Sequence, residues 1–113
     1  MENVKFNTLN ISDEILRALD EMGFTEATPI QSQAIPAVMT GRDVIGQAQT
    51  GTGKTCAYGI PALEMCDRDA RSAQVLVLCP TRELAIQVAD ELKRVAKYTH
   101  GLRILAIYGG QHI

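Results

Sequence analysis

Residues 44–55, with the sequence VIGQAQTGTGKT, have the composition of a phosphate-binding loop. Glycines let backbone amides curl around phosphate oxygens, and the positive end of a following helix dipole favours the same anion. Lys54 would neutralise the β and γ phosphates, and the Thr55 hydroxyl would ligate Mg²⁺. The strict motif has glycine five places before Gly53, where this chain has Ala48. The segment predicts nucleotide binding, and a tight turn that needs glycine only for its geometry is the alternative.

Gln31 lies in the sequence TPIQ, which fits a helix capping box. In that arrangement the Thr28 hydroxyl caps the helix and the Gln31 amide reaches back to the Thr28 N–H group. A glutamine amide is also donor and acceptor together, and can pair with N6 and N7 of adenine. Spacing alone does not choose between a capping and an adenine-reading role.

The sequence PTRELA, residues 80–85, is typical of a helix start. Thr81 is a good N-cap, Glu83 suits the positive end of the helix dipole, and Leu84 faces the core. Arg82 is not explained by a helix start, because the helix dipole disfavours a cation in the first turn. We therefore expect Arg82 to have another partner.

The elements that must position these residues alternate between short apolar runs and longer helical patterns. The expected order is a strand at 44–48, a helix at about 53–65, a strand at 75–79, a helix at about 82–98 and a strand at 103–108. Strands that alternate with helices in this way form βαβ units and a parallel sheet buried on both faces. All its strands end at one edge, so the loops that follow them open together where α/β folds bind ligands.

Residues 1–42 precede this pattern as a helical segment, and residues 43–113 form the α/β part of the same single domain. One helix is predicted after an N-cap at Ser12 and ends at Gly23. A second begins at the TPIQ sequence, and Pro36 is expected to kink or restart it.

The composition of the chain excludes a disordered or fibrous protein. The chain has 113 residues, 46% apolar and 21% charged, as in one ordinary globular domain. Eleven basic against thirteen acidic residues leave no electrostatic footprint for nucleic acid. Its three cysteines have no metal-ligand or redox spacing. No apolar run is long enough to cross a membrane and the first residues lack a signal-peptide core, so we expect a cytoplasmic protein without a membrane partner.

Four segments together resemble a known family. In order, GFTEATPIQ, AQTGTGKT, PTRELA and GG are similar to the Q motif, motif I, motif Ia and the glycine doublet of DEAD-box RNA helicases. Phe6, seventeen residues before Gly23, matches the isolated aromatic residue of that family. Motif I of the family usually begins with alanine, which removes the objection raised by Ala48. The resemblance covers residues 6–110 and implies a P-loop NTPase fold: a RecA-like parallel sheet flanked by helices, incomplete, with about three strands.

The resemblance implies an ATP site in two halves. Gln31, with its capping partner Thr28, would read the adenine edge; Phe6 would pack on the base, unless it only anchors the N-terminal segment. Phe24 would support the pocket from the neighbouring loop and is expected to lie in the core. The implied phosphate half, with Lys54 and Thr55 as the catalytic residues and Thr55 as the Mg²⁺ ligand, is Ala48, Gln49, Thr50, Gly51, Thr52, Gly53, Lys54 and Thr55.

The resemblance also implies contacts with the RNA sugar-phosphate backbone that are largely independent of base sequence. For the glycine doublet, a simple turn is the alternative. The implied RNA-binding residues are Pro80, Thr81, Arg82, Gly109 and Gly110.

Phosphoryl transfer needs further groups, including a carboxylate that holds Mg²⁺. None of the predicted strands ends in an acid, and the D-E-A-D and S-A-T motifs and second RecA-like domain of the family do not occur in this sequence. We expect the chain alone to bind ATP or ADP weakly without hydrolysing it, to work with the remainder of a helicase core, and to self-associate through exposed apolar surface. There are two alternatives. The first is another P-loop ATPase such as a DNA helicase, and the second is a non-catalytic nucleic-acid or protein interaction module.

Overall fold

The computed structural model of the protein describes residues 4–46 and 54–109. The elements, in chain order, are β1 (Val4–Lys5), a 3-10 helix (Phe6–Thr8), α1 (Asp13–Glu21), β2 (Glu26–Ala27), α2 (Pro29–Met39), α3 (Lys54–Met65) and α4 (Arg82–Val95). Strands β1 and β2 pair antiparallel, with Val4 opposite Ala27. Among these described elements, no helix combines the length and hydropathy that a membrane span requires.

Helix α1 begins and ends where the sequence predicts. Ser12 is its N-cap residue in extended conformation, although the serine side chain makes no capping hydrogen bond. Instead, the Ser12 backbone N–H donates to Oε1 of Glu64 at 2.9 Å, which ties the start of α1 to α3. The helix ends before Gly23, whose φ of 82° lies in the left-handed region that glycine adopts at low cost.

Helix α2 starts at Pro29 and runs through Pro36 as one helix. The prediction that Pro36 restarts the helix is therefore wrong. Proline removes one backbone donor from the helix interior, but the neighbouring Ile35 is fully buried, so tertiary packing holds the helix at this point. Gly41, with φ 83°, follows the C-cap residue and turns the chain away.

Helices α3 and α4 carry the residues with predicted chemistry at their first turns. The described part of α3 begins at Lys54, as the sequence predicts to within a residue. Helix α4 begins at Arg82 and ends at Val95, three residues before the predicted end at Tyr98. Its start is fixed by Thr81, whose side-chain oxygen accepts a hydrogen bond from the Leu84 N–H at 3.1 Å.

The core lies among the four helices: α2 packs on α3, α3 on α4, and α1 on α4. Burying one large aliphatic side chain contributes about 1.5–3 kcal/mol relative to leaving it in water. The core therefore fixes the direction of α3, and with it the position of Lys54. Its buried members are Phe6, Ile11, Ile15, Leu19, Ala27, Ile35, Cys56, Ile60, Leu63 and Val95.

The three segments predicted as strands, 44–48, 75–79 and 103–108, do not pair with one another in the described part of the chain. The last two lie along α3 and α4 and line a groove of about 760 Å³. Paired strands must run about 4.8 Å apart, and consecutive strands of a fold are neighbours only about two-thirds of the time. The expected pairing is therefore not found among the described residues, which include only 44–46 of the first segment.

Segment 103–108 nevertheless keeps the alternation of a strand, whereas residues 75–78 are all exposed. In segment 103–108, every second side chain faces the helices and the others are exposed. Leu78 in the earlier segment is 84% exposed, and Leu105 and Ile107 are also mostly exposed. One face thus packs on α3 and α4, and the opposite apolar face is open to solvent.

A polar cluster joins α1 to the chain after α4. Glu21 accepts hydrogen bonds from the Tyr98 hydroxyl and from Nζ of Lys97, the latter at 3.0 Å. The Arg17 guanidinium lies over the Tyr98 ring, with Cζ 4.1 Å from the ring centroid. The Tyr98 hydroxyl, and next the Lys97 ammonium, hold the pKa of Glu21 below its ordinary value of 4.5.

This cluster should give stability a specific pH dependence. Because the folded-state pKa of Glu21 is lowered, its contribution is present above about pH 4.5 and is lost as the pH falls through the folded-state pKa. We expect Glu21→Gln to be slightly less stable than wild type near neutral pH and equally stable in acid, since the group is exposed and the effect is small. Chemical denaturation across that range measures it, with Glu26→Gln as a control outside the cluster. A difference independent of pH would contradict the assignment.

Candidate functional site at the start of helices α2, α3 and α4

The first turn of α3 presents the groups expected to bind phosphate. Lys54 is exposed and Thr55 is half-buried, and no acidic residue occurs in this first turn. The first N–H groups of a helix have no intrahelical partner and carry its positive dipole end. A lysine and a hydroxyl at such an end suit an anion, and ATP phosphates fit these residues. The rest of the predicted loop, Ala48 and residues 49–53, lies outside the described residues.

Tyr58 is a neighbour of Thr55 that the sequence analysis missed. Burial raises the pKa of the Tyr58 hydroxyl above its ordinary value, and a side-chain hydrogen bond with Thr55 acts in the opposite direction. Residues three apart share one face of a helix, so the spacing could have indicated this pair. The contact restricts the Thr55 hydroxyl, the predicted Mg²⁺ ligand.

Gln31 forms the predicted capping box at the start of α2. Its Oε1 accepts from the Thr28 N–H at 2.9 Å, and its own N–H donates to Oγ1 of Thr28 at 3.4 Å. The side chain is only 4% exposed. The capping role is therefore confirmed, and the cap fixes the direction of the amide. Reading of adenine by the same amide stays a prediction.

Of the two phenylalanines of the predicted base half, Phe6 is buried and Phe24 is exposed. Phe6 is 2% exposed within the core, and its N–H donates to the Thr25 carbonyl at 3.2 Å, which matches the alternative of an N-terminal anchor. Phe24 is 44% exposed, so the expectation that it lies in the core is wrong. The left-handed turn at Gly23 directs the chain outward just before Phe24. Packing of Phe6 on the base and support of the pocket by Phe24 stay predictions.

The turn that holds Gln31 lies next to Gly46, the last described residue before the predicted phosphate loop. The chain leading into the phosphate loop passes Gly46, where an added Cβ atom would lie only 3.0 Å from Cδ1 of Ile30. Ile30 directly precedes Gln31 in the first turn of α2. Helices α2 and α3 also pack together. The structure thus brings the Gln31 turn next to the segment that leads to Lys54.

The two segments predicted to bind RNA also lie next to each other. Arg82, exposed in the first turn of α4, has its Cζ 5.3 Å from the centroid of the Tyr108 ring. Tyr108 directly precedes Gly109, and both Gly109 and Pro80 are exposed. The sequence analysis gave Tyr108 no role, and its place before the glycine doublet was the available signal. Gly110 lies outside the described residues.

Other reactive groups near the site show no catalytic arrangement. Burial, with a smaller effect of the nearby Glu91 carboxylate, raises the pKa of the Cys56 thiol to about 11, so this thiol stays protonated at neutral pH. A protonated, buried thiol is a poor nucleophile. Within residues 4–46 and 54–109, no group of three or more His, Cys, Asp or Glu side chains could hold a metal ion. In this part of the chain, Thr55 is the one residue with a predicted metal role.

Comparison with known proteins agrees with this arrangement. The family model described as DEAD/DEAH box helicase matches residues 28–113. A relative from Bacillus cereus named DEAD-box ATP-dependent RNA helicase CshA is 54% identical over 108 residues, which are 96% of this chain and 20% of the relative. Its Bacillus subtilis counterpart is 49% identical over 97% of this chain and 22% of its own length. The chain spans about a fifth of the curated relatives it matches.

Solved structures with the same fold include a DEAD box protein from Methanococcus jannaschii. Its TM-score is 0.90 at 42% identity, covering 99% of this chain and 31% of that protein. Dbp5 from S. cerevisiae bound to RNA and ADP BeF3 gives a TM-score of 0.81 at 33% identity, over 84% of this chain and 25% of Dbp5. These matches confirm the predicted α/β RecA-like class. By its residues, its fold and these relatives, the chain belongs to the DEAD/DEAH box helicase family.

Proposed function

We propose that this chain supplies the ATP-binding and part of the RNA-binding surface of an ATP-dependent RNA helicase. The whole protein would couple ATP hydrolysis to the opening or remodelling of RNA duplexes. The observation that carries the proposal is the exposed Lys54 in the first turn of α3, together with the packing of α3 on α2, the helix that holds Gln31. The names of the relatives and the RNA and nucleotide bound to Dbp5 support it.

In this proposal, each half of the site performs one task. Lys54 and the first N–H groups of α3 would bind the β and γ phosphates, and the Thr55 hydroxyl would hold Mg²⁺, which would supply positive charge against the phosphates. Gln31, oriented by its capping bond to Thr28, reads the adenine edge and selects ATP. The remaining carboxylate, water-orienting and arginine groups come from the remainder of the helicase core.

RNA is bound next to this site. The exposed start of α4 with Thr81 and Arg82, and the neighbouring Gly109, would contact the sugar-phosphate backbone. Phosphates carry no base identity, so this binding is independent of base sequence. The protein has a net charge of −2, so the affinity comes from local groups and not from its overall charge.

The open apolar face of segments 75–79 and 103–108 has its own consequence for the isolated chain. Leu78, Leu105 and Ile107 are exposed large apolar side chains on this face. Contiguous exposed apolar surface promotes association. We propose that the isolated chain self-associates through this face, whereas the rest of a helicase core covers it in the whole protein.

Two substitutions at Gln31 separate its two roles. Gln31→Ala removes both the cap and the amide, so we expect a stability loss of about 1 kcal/mol together with loss of preference for ATP over GTP. Gln31→Glu keeps an oxygen that can accept from the Thr28 N–H but removes the donor that adenine N7 requires. It should keep most of the stability and still lose the preference.

Competition binding of ATP and GTP, with chemical denaturation in parallel, measures both effects in the whole protein. Thr28→Ser, which keeps the capping hydroxyl, is the matched control and should retain both stability and preference. If Gln31→Glu prefers ATP as strongly as wild type does, Gln31 does not read adenine. That result would favour another P-loop ATPase, such as a DNA helicase, over an RNA helicase.

A further inference from the structure

The contact between Arg82 and Tyr108 joins two segments that the fold brings together from different parts of the chain. Cζ of Arg82 lies 5.3 Å from the Tyr108 ring centroid, within the range of about 6 Å over which a guanidinium and an aromatic ring attract. Arg82 is the first residue of α4, and Tyr108 directly precedes Gly109. Tyr108 is half-buried against α3 and α4 in the groove described above, so its ring has a fixed support.

Arg82 is otherwise in an unfavourable place. It stands at the positive end of the α4 dipole, which repels a cation. Among the described residues, the ion pair within 4.0 Å is Lys97 with Glu21, and Arg82 has no carboxylate partner there. A long side chain without a partner samples many rotamers and loses that freedom when it binds a ligand. The ring of Tyr108 is therefore the contact in the described chain that restricts Arg82.

A guanidinium over a ring keeps its binding capacity. When a guanidinium lies flat on a ring face, its five N–H donors point away from the ring and still match the geometry of a phosphate. The ring thus limits the motion of Arg82 without using its donors. Restricting a binding group before the ligand arrives lowers the entropy lost on binding.

We propose that Tyr108 is a positioning residue for RNA binding: its ring holds the Arg82 guanidinium ready for a backbone phosphate and so links the start of α4 to the segment that ends at Gly109. The inference rests on the proposed function, because it concerns the same RNA surface. Tyr108 acts through Arg82, and its hydroxyl has no part in the effect.

The test compares four variants of the whole protein for binding to a short single-stranded RNA across a range of salt concentrations. Tyr108→Leu, which keeps apolar volume and removes the ring, should weaken RNA binding by about two- to fivefold. Tyr108→Phe should bind like wild type. Arg82→Ala should reduce the slope of log affinity against log salt by roughly one phosphate contact. In the fourth variant, Arg82→Ala with Tyr108→Leu, the second change should have no further effect.

ATP affinity and the unfolding midpoint, measured on the same variants, separate positioning from a general loss of structure, because positioning leaves both at wild-type values. The inference is overturned if Tyr108→Leu binds RNA like wild type, or if Tyr108→Phe loses as much RNA affinity as Tyr108→Leu does. It is also overturned if the loss of RNA affinity in the double variant is the sum of the losses in the two single variants. If wild type shows no salt-dependent RNA binding, the proposed function fails and the inference fails with it. If Arg82→Ala weakens RNA binding and Tyr108→Leu does not, only the inference fails.

Discussion

Replacing Lys54 by alanine should reduce ATP hydrolysis by the whole protein about 100- to 1000-fold, the size of effect seen when a single charge-stabilising group is removed from an active site. Lys54 is exposed in the first turn of α3, and in the proposed function its ammonium binds the β and γ phosphates. The dipole disfavours a cation at this end of a helix, so Lys54→Ala should not lower the stability of the folded protein. The Lys54→Ala variant should therefore lose ATP hydrolysis while keeping its folding stability.

Steady-state ATP hydrolysis with RNA present measures this prediction, and chemical denaturation checks the fold. Lys93→Ala is the matched control, because Lys93 is an exposed lysine in the last turn of α4, away from the site. It should hydrolyse ATP at the wild-type rate. If Lys54→Ala also kept that rate, the start of α3 could not be the phosphate site.

Replacing Ile60 by alanine should cost about 2–5 kcal/mol of folding stability. Ile60 is fully buried near the middle of α3 and belongs to the core cluster that contains Ile35 of α2. Removing its outer carbons leaves a cavity in a close-packed interior, which relaxes only in part. Because this core fixes the direction of α3, the same change should also weaken ATP binding at temperatures near the unfolding midpoint.

Denaturant titration gives the free energy of unfolding for this variant. The control is Ile60→Val, which removes one carbon from the same site and should cost only about 0.5–1.5 kcal/mol. A loss in Ile60→Ala no larger than that in Ile60→Val would mean that the interface between α2 and α3 is loosely packed.

The helices could be predicted well from sequence because their starts are decided locally. Thr28 and Thr81 cap α2 and α4 by hydrogen bonds to residues three places away, and Gly23 ends α1 by its backbone conformation. Such signals lie within a few residues of one another. The starts of α3 and α4 therefore follow from the sequence to within a residue.

Features that depend on distant parts of the chain could not be predicted in the same way. Continuous apolar runs identify segments 75–79 and 103–108 as strand-like but do not say which segment lies beside which. Phe6 is buried because it packs on helices that follow it in the chain, while Phe24 is left outside by the turn before it. The contact of Arg82 with Tyr108 spans a separation that no local pattern reports.

Strand separation is the sharpest test of the proposal that this chain provides the ATP and RNA surfaces of an RNA helicase. The substrate is a short RNA duplex with a single-stranded tail, mixed with the whole protein and with ATP, GTP or no nucleotide, and a DNA duplex of the same sequence serves as control. We expect the wild-type protein to separate the RNA duplex with ATP, to separate little of it with GTP, and to separate none without nucleotide. The Lys54→Ala variant should separate none even with ATP. Separation that proceeds equally without ATP, or equally in Lys54→Ala, would contradict the proposal.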